Sequence, residues 1–473
     1  MRRATIRIFA NLAVSLGITG LFAIGYPADV QAQTIFCPAT FNPNNGPVFL
    51  ANGTCTDRTN GAFSGAALAS QSLSELSQTT TEATTKEIGK SIVERREQER
   101  ERCPEGFSRV DGACRPTRRP VHEPTRAVQR EKPTPAAVVK APPPPPLPIE
   151  PAVRFGTWAQ VYGDYEKRDA AGPAILNCCI VGSIPFGGVQ PNLALNIESR
   201  TGTVGFVAGA DLTSRGLFFA NDGFIAGVTA GYTSSELKLN TTATPTIQPS
   251  IVGRGVSHLD ANVSGPTAGL YATYFSGGFS TDFAAKFDFL TVDQTFNDLL
   301  ATTTGSVESP TFLPFTGAGS VSLLNSTVVG NFNYRFDLYP NVWIEPTVGV
   351  QYTNSSYGSG AAQLSLADGN LLRVQGGARF GTSILLSNRV LMTTTLTGLA
   401  YNDVVAQGGF IPVNAFNGNN LLVQADQGLM RGEGILALNF DFGNGWSSLV
   451  LADVYGGAHL FGAGGKAGVR YQW

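Results

Sequence analysis

Three histidines and six cysteines are the side chains most able to do chemistry in this chain, and their spacing decides what chemistry is open. His122, His258 and His459 are scattered. None stands at a motif distance from a second histidine, a serine or a cysteine, so the sequence offers neither a metal-ligand set nor a nucleophile beside its base. His258 lies close to Asp260, but the pair is set aside on the ground that an extended chain turns neighbouring side chains to opposite faces. There is no G-x-S-x-G elbow and no phosphate loop ahead of a helix; Gly462-Ala463-Gly464-Gly465 is turn chemistry at a hairpin. The expectation is a protein that is not an enzyme, with no catalytic residue, no cofactor and no metal.

The cysteines point to export. Arg2, Arg3 and Arg7 precede an apolar run from Ile8 to Ile24, and Val30-Gln31-Ala32 is a small-residue cleavage site. Residues 1–32 therefore read as a Sec-type signal peptide cleaved after Ala32. In an exported chain cysteines are candidate disulfides. Cys37 with Cys55, and Cys103 with Cys114, are the expected local pairings, the second stapling a hairpin turned at Asp111-Gly112. Cys178 and Cys179 are adjacent; they could bond each other only with strain, and stay free or pair elsewhere.

The elements that must carry these groups change character along the chain. Residues 33–66, rich in Asn, Gly, Pro and Thr, are loop-like. From Leu68 to Arg102 the pattern turns helical, with Leu73, Leu76, Ala83, Ile88 and Ile92 as a thin stripe and a mixed-charge run at 94–102; this predicts a solvated helical spacer. Residues 115–151 are basic and Pro-rich, ending in Pro142 to Pro146, Pro148 and Pro151, and predict a semi-rigid polyproline linker. The expected domains are the signal peptide 1–32, a small disulfide-containing and helical region 33–114, the linker 115–151 and a body from 152 to 473.

With 14% charged residues, 10% aromatics, 55 Gly and a net charge of −2, the chain suits a β-rich body with many turns and carries no nucleic-acid signal. Strand-like alternation falls at 155–167, 200–212, 223–237, 265–276, 279–292, 321–338, 342–354, 370–386, 389–402, 428–442, 446–456 and 465–473. Connections at 168–199, 238–264, 293–320, 355–369, 403–427 and 457–464 are mostly long; those between, such as Ser276-Gly277-Gly278 and Gly443-Asn444-Gly445, are mostly tight. That sorting predicts a membrane barrel, with long loops outside and short periplasmic turns. The fifth strand sets Phe279, Phe283, Phe287 and Phe289 against Asp282, Lys286 and Asp288, and the last sets Ala467, Val469, Tyr471 and Trp473 against Lys466, Arg470 and Gln472. The fold class expected is all-β: a twelve-stranded antiparallel transmembrane β-barrel, preceded by a small, partly helical and Pro-rich N-terminal region. Its apolar faces meet outer-membrane lipid, and its polar faces line a wet lumen with Asp282, Lys286, Arg335, Glu345, Arg373, Arg379, Arg431 and Glu433.

Several stretches resemble the autotransporter β-domain, the C-terminal translocator of type V secretion. They are Gly156-Thr157-Trp158 with Gly163, Gly209-Ala210-Asp211, the runs 227–232 and 269–274, Trp343-Ile344-Glu345-Pro346 with Gly349 and Tyr352, and the run 468–473. The resemblance covers about residues 150–473. It implies a twelve-stranded barrel in the outer membrane of a Gram-negative bacterium, inserted by the barrel assembly machinery, which would read Val469, Tyr471 and Trp473 as an insertion signal. It also implies a helix in the pore just before the first strand. Residues 141–151, APPPPPLPIEP, cannot form that helix, because proline removes a donor and clashes with the preceding turn. The N-terminal region is therefore expected to cross the lumen extended or to stay in the periplasm. The expected function is an autotransporter-like barrel that translocates or displays its short N-terminal region. The alternatives are a porin-like or structural barrel with a periplasmic tether, and an adhesin acting through its extracellular loops.

Overall fold

The computed structural model describes residues 65–101, 107–110, 113–116, 153–175, 192–219, 222–245, 255–301, 312–339, 341–364, 366–386, 390–410 and 430–473. The signal peptide, the polyproline run, and Cys37, Cys55, Cys103, Cys178 and Cys179 lie outside these residues. Helix α1 spans Gly65–Glu101. A hairpin follows, β1 Phe107–Val110 and β2 Ala113–Pro116. Its register pairs Val110 with Ala113; the expected turn residues Asp111 and Gly112 lie outside the described residues.

The wall is built from β3 Val153–Ile175, β4 Asn192–Arg215, β5 Asp222–Pro245, β6 Gly255–Ser276, β7 Phe279–Ala301 and β8 Phe312–Tyr334. The chain breaks at Arg335 and resumes as the short β9, Phe336–Tyr339, which continues the line of β8 along its neighbour. Then come β10 Val342–Tyr357, β11 Leu366–Leu385, β12 Leu391–Phe410, β13 Arg431–Gly443, β14 Trp446–Gly456 and β15 Leu460–Gln472. Every neighbouring pair is antiparallel, and β15 closes onto β3 through Val469 opposite Ala159. Counting β8 and β9 as one, twelve strands form a closed antiparallel barrel, which leaves no open edge. Tight turns gather on one rim; in the turn after β13, Gly443, Asn444 and Gly445 all take positive φ.

The first six wall strands are longer than their alternation suggested. β3 to β8 run 22–24 residues, about twice the ~9–11 that a tilted strand needs to cross a bilayer. Much of what the sequence offered as loops at 168–199, 238–264 and 293–320 is strand. The cause is a change of sides. In β5, Val228 and Tyr232 face outward and Thr229 and Thr233 inward. Eight residues on, Leu237 and Leu239 are the buried pair while Glu236 and Lys238 face out. β6 and β7 make the same switch, burying Leu259, Ala261 and Val263, and Leu290 and Val292. The two halves are in register across strands, Leu239 opposite Leu259 and Val292 opposite Val321. The apolar face therefore meets lipid near the tight-turn rim and turns inward beyond it, where the exterior must be wetted. The expectation that apolar side chains look outward throughout is corrected accordingly.

Helix α1 runs inside this barrel. Leu73 and Leu76 pack among Leu237, Leu259, Leu290, Val292, Leu323 and Leu366 at the far end, and Ile88 and Ile92 pack against Trp158, Val207 and Ile225. The helix is thus neither a solvated spacer nor an extended crossing. Its stripe is thin because the wall it faces is largely polar, so Ser, Thr and charged residues are the matching partners around most of its circumference. No described helix is long and apolar enough to cross a membrane by itself.

Candidate functional site in the barrel lumen

Room for a helix is made by laying large inward side chains flat. Trp158 lies on its cross-strand partner Gly209, and Trp343 on Gly381, at positions where a Cβ would collide with the indole. Tyr271 covers Gly227 and Tyr162 covers Gly205 in the same way. Several glycines and aromatics of the sequence motifs are therefore halves of one packing device.

Around the tight-turn end of α1 the contacts are ionic. Arg96, fully buried, donates to Asp282 at 2.6 Å and to Glu345 at 2.5 Å. Glu345 also accepts from Arg100 at 3.0 Å and Arg379 at 2.6 Å, so one carboxylate from β10 gathers two helix arginines and one wall arginine. Arg100 caps the exit by donating to the Gly278 and Phe279 carbonyls, 3.2 and 3.1 Å away. Arg335, at the β8–β9 break, donates to Glu97 at 2.6 Å and stacks over Trp343 at 4.7 Å. On the opposite wall Arg95 donates to Thr213 at 2.5 Å and meets Asp211, which also pairs with Arg470 and accepts from Tyr271 at 2.7 Å. Trp158 donates to the Tyr271 hydroxyl at 3.0 Å.

Further up, charge is balanced in smaller sets. Lys286 donates to the Thr81 carbonyl at 2.7 Å and to Asp288 at 3.1 Å. Arg373 pairs with Glu82 and with Asp403, the latter at 2.6 Å, and Arg431 lies 3.3 Å from Asp403. Lys86 sits 3.5 Å from Glu433 and 4.2 Å above the Tyr455 ring, and Lys90 is 2.9 Å from Asp453. Asn325 donates to Thr81 at 2.6 Å, and Ser91 to Gln160 at 2.7 Å. A cavity of about 120 Å³ remains between α1 and the wall from β8 to β14. Gly89 and Val93 line its helix side, and Leu399, Ile435, Ala437 and Leu451 line part of the wall.

Asp282, Lys286, Arg335, Glu345, Arg373, Arg379, Arg431 and Glu433 all stand on the inward face, and most meet a helix residue or its neighbour directly. Sequence reasoning missed Asp211, Gln160 and Lys466 as helix partners, and Tyr271 and Arg470 as the wall groups that hold Asp211, because alternation gives the face of a residue but not what stands opposite it. It also parted His258 and Asp260 wrongly. Residues two apart on a strand share a face, and His258 Nε2 is 3.3 Å from Asp260 Oδ2 on the exterior, with Nδ1 2.6 Å from Asn240. Among the described residues, no group of three or more His, Cys, Asp or Glu is placed to hold a metal. Val469, Tyr471 and Trp473 face outward, with Trp473 stacked between Phe155 and Tyr471 at 6.4 and 5.7 Å.

The autotransporter beta-domain family model matches residues 196–450. The chain belongs to the autotransporter β-domain family. This autotransporter β-domain is similar to three solved translocators. The β-domain of the Bordetella autotransporter BrkA is 15% identical over 67% of this chain and 98% of that one, with a TM-score of 0.39. The transport unit of AIDA-I from Escherichia coli is 12% identical over 67% and 90%, with a TM-score of 0.41. The translocator of NalP from Neisseria meningitidis is 15% identical over 67% and 88%, with a TM-score of 0.32. No curated protein matches. As an autotransporter β-domain, the chain is a barrel of the Gram-negative outer membrane.

Proposed function

We propose that this barrel passes its own N-terminal region outward through the lumen, displays the residues that precede α1 at the cell surface, and keeps α1 behind as a plug. The polarity of the helix carries the proposal. Leu73 and Leu76 lie among the far ends of the long strands, where the exterior is polar, and Arg100 lies at the Gly278 turn on the tight-turn rim. Tight turns of outer-membrane barrels face the periplasm, so chain N-terminal to α1 emerges outside. A periplasmic tether would need the helix to run the other way. β3 also starts from the tight-turn rim, beside Trp473. Both ends of residues 102–152 therefore belong to the periplasmic side, and a Cys103–Cys114 staple would form in that oxidising compartment.

The mechanism is passive. A polar wall with both signs of charge offers partners to an unfolded chain as it passes, and α1 takes those partners when passage ends. We propose no catalysis: the two ring nitrogens of His258 are engaged by Asn240 and Asp260. Export through a signal peptide cleaved after Ala32, and insertion by the barrel assembly machinery reading Val469, Tyr471 and Trp473, complete the route. Protease added to intact cells tests it. An epitope near residue 60 is digested from outside, while one within 120–140 survives until the outer membrane is permeabilised. Survival of the first epitope, with a tag in 246–254 cut, would overturn display.

A further inference from the structure

Among the described residues, the β4–β5 connection on the periplasmic rim is built as a finger. Leu217, Phe218 and Phe219 are all exposed, Phe219 by 67%. Their backbone amides all donate to the carboxylate of Asp222, at 2.7, 2.8 and 3.0 Å. The Asp222 amide returns a bond to the Phe219 carbonyl at 3.2 Å, and Gly216 opens the finger at a φ of 68°. Three apolar side chains are thus presented on a backbone whose described amides, those of residues 216–219 and 222, are satisfied within the loop. Amides capped in this way need no water, which a loop entering an apolar medium requires, because each unsatisfied amide there costs several kcal/mol.

The direction of the finger is fixed by Phe218, whose ring meets Tyr274 edge-on at 5.9 Å between centroids. Tyr274 is on the outward face of β6, the side opposite the lumen-facing Thr273 and Phe275. The finger therefore folds toward the lipid side of the wall rather than beneath the pore. It continues a rim that already carries Phe155 and Trp473 stacked beside it, and Tyr334 against Phe336 at 4.7 Å.

We infer that Leu217, Phe218 and Phe219 form a membrane anchor that inserts into the headgroup–acyl boundary of the periplasmic leaflet, with phospholipid as its partner. Asp222 keeps the loop backbone fit to leave water, and the anchor holds the barrel on its tall side, β3 to β8. It is independent of whether the N-terminal region is displayed.

A photoreactive phenylalanine analogue, benzoylphenylalanine, placed at Phe218 or Phe219 tests this in the full chain. The protein is folded into vesicles of phosphatidylethanolamine and phosphatidylglycerol, and folding is checked by its heat-modifiable migration. The same analogue at Phe224, outward on β5, and at Asn444, in the turn after β13, sets the upper and lower references. The expected yield of lipid adduct at Phe219 is within about threefold of Phe224 and at least tenfold above Asn444. A yield at Phe219 no higher than at Asn444 would overturn the anchor, as would a protein adduct in place of lipid when the experiment is repeated in cells. Should the analogue at Phe218 disturb its contact with Tyr274 and block folding, Phe219, the more exposed ring, carries the same measurement.

Discussion

The two ends of the plug helix are held by opposite physics. At the outer end Leu73 and Leu76 are gripped by inward leucines and valines of β5 to β8, a small globular core on strand ends whose outward residues are mostly polar. At the periplasmic end Arg95, Arg96 and Arg100 are gripped by Asp211, Asp282 and Glu345. The difference follows from what surrounds the wall. Where lipid lies outside, the outward residues must be apolar, and alternation then leaves the inward row polar. Where water lies outside, the rows exchange places, and the lumen gains a dry core. An apolar grip is non-directional and insensitive to salt; an ionic grip depends on which charges are opposite each other, and loses strength sharply when one partner goes.

The largest effect should come from the outer grip. Replacing both Leu73 and Leu76 by Ala removes about 2–5 kcal/mol at each site. Amide hydrogen exchange between residues 73 and 81 should then speed up at least a hundredfold, while residues 95–101 keep their protection. Uniform loss along the helix would show that the two ends are one cooperative unit. The next effect is Glu345→Ala. It removes the carboxylate that Arg96, Arg100 and Arg379 share, and costs about 3–5 kcal/mol as a broken buried pair. Faster exchange is expected at 92–101 only, together with a larger ion current in planar bilayers than the unsubstituted barrel passes; Glu345→Gln should fall between.

Ionic strength sharpens the contrast at smaller amplitude. Between 0.1 and 1 M salt the screening length falls from about 10 to about 3 Å. In Glu345→Gln, exchange at 92–101 should rise several-fold over that range, with residues 73–77 unchanged or slower. Equal responses at both ends would undo the division. The smallest effect is at the outer surface, where Lys238 pairs with Glu236 at 3.3 Å in the open. Lys238→Ala should shift stability by less than about 1 kcal/mol, read as an unchanged temperature of heat-modified migration.

How much of this could be read in advance varied from element to element. The Phe279–Phe289 run of β7 carried its inside and outside in plain alternation, and its boundaries at Phe279 and near residue 292 mark where the lipid-facing row ends. The remaining residues of that strand were hidden because their alternation changes sign, which looks like a loop when only one environment is assumed. The helix was visible at 68–102. Its place was not, since a helix with Thr79-Thr80-Thr81 and Arg95-Arg96 at its centre and end carries only a thin apolar stripe, narrower than the one that normally betrays burial. Those side chains are buried against polar ones, and sequence alone does not reveal a partner two hundred residues away.

Local chemistry sufficed for the barrel itself: the period of two, the sorting of long and short connections, and the tight turns at Gly277-Gly278 and Asn444-Gly445 all follow from backbone geometry and solvent, and need no knowledge of distant contacts. Cross-strand register and closure decided the rest. Only when β15 meets β3, and β10 meets β8 and β11, do Glu345, Asp282 and Asp211 come to face one axis, and only then is there a channel of the right width and charge to hold Gly65–Glu101. Burial in the lumen is a property of that enclosure, so no stretch of chain could announce it alone.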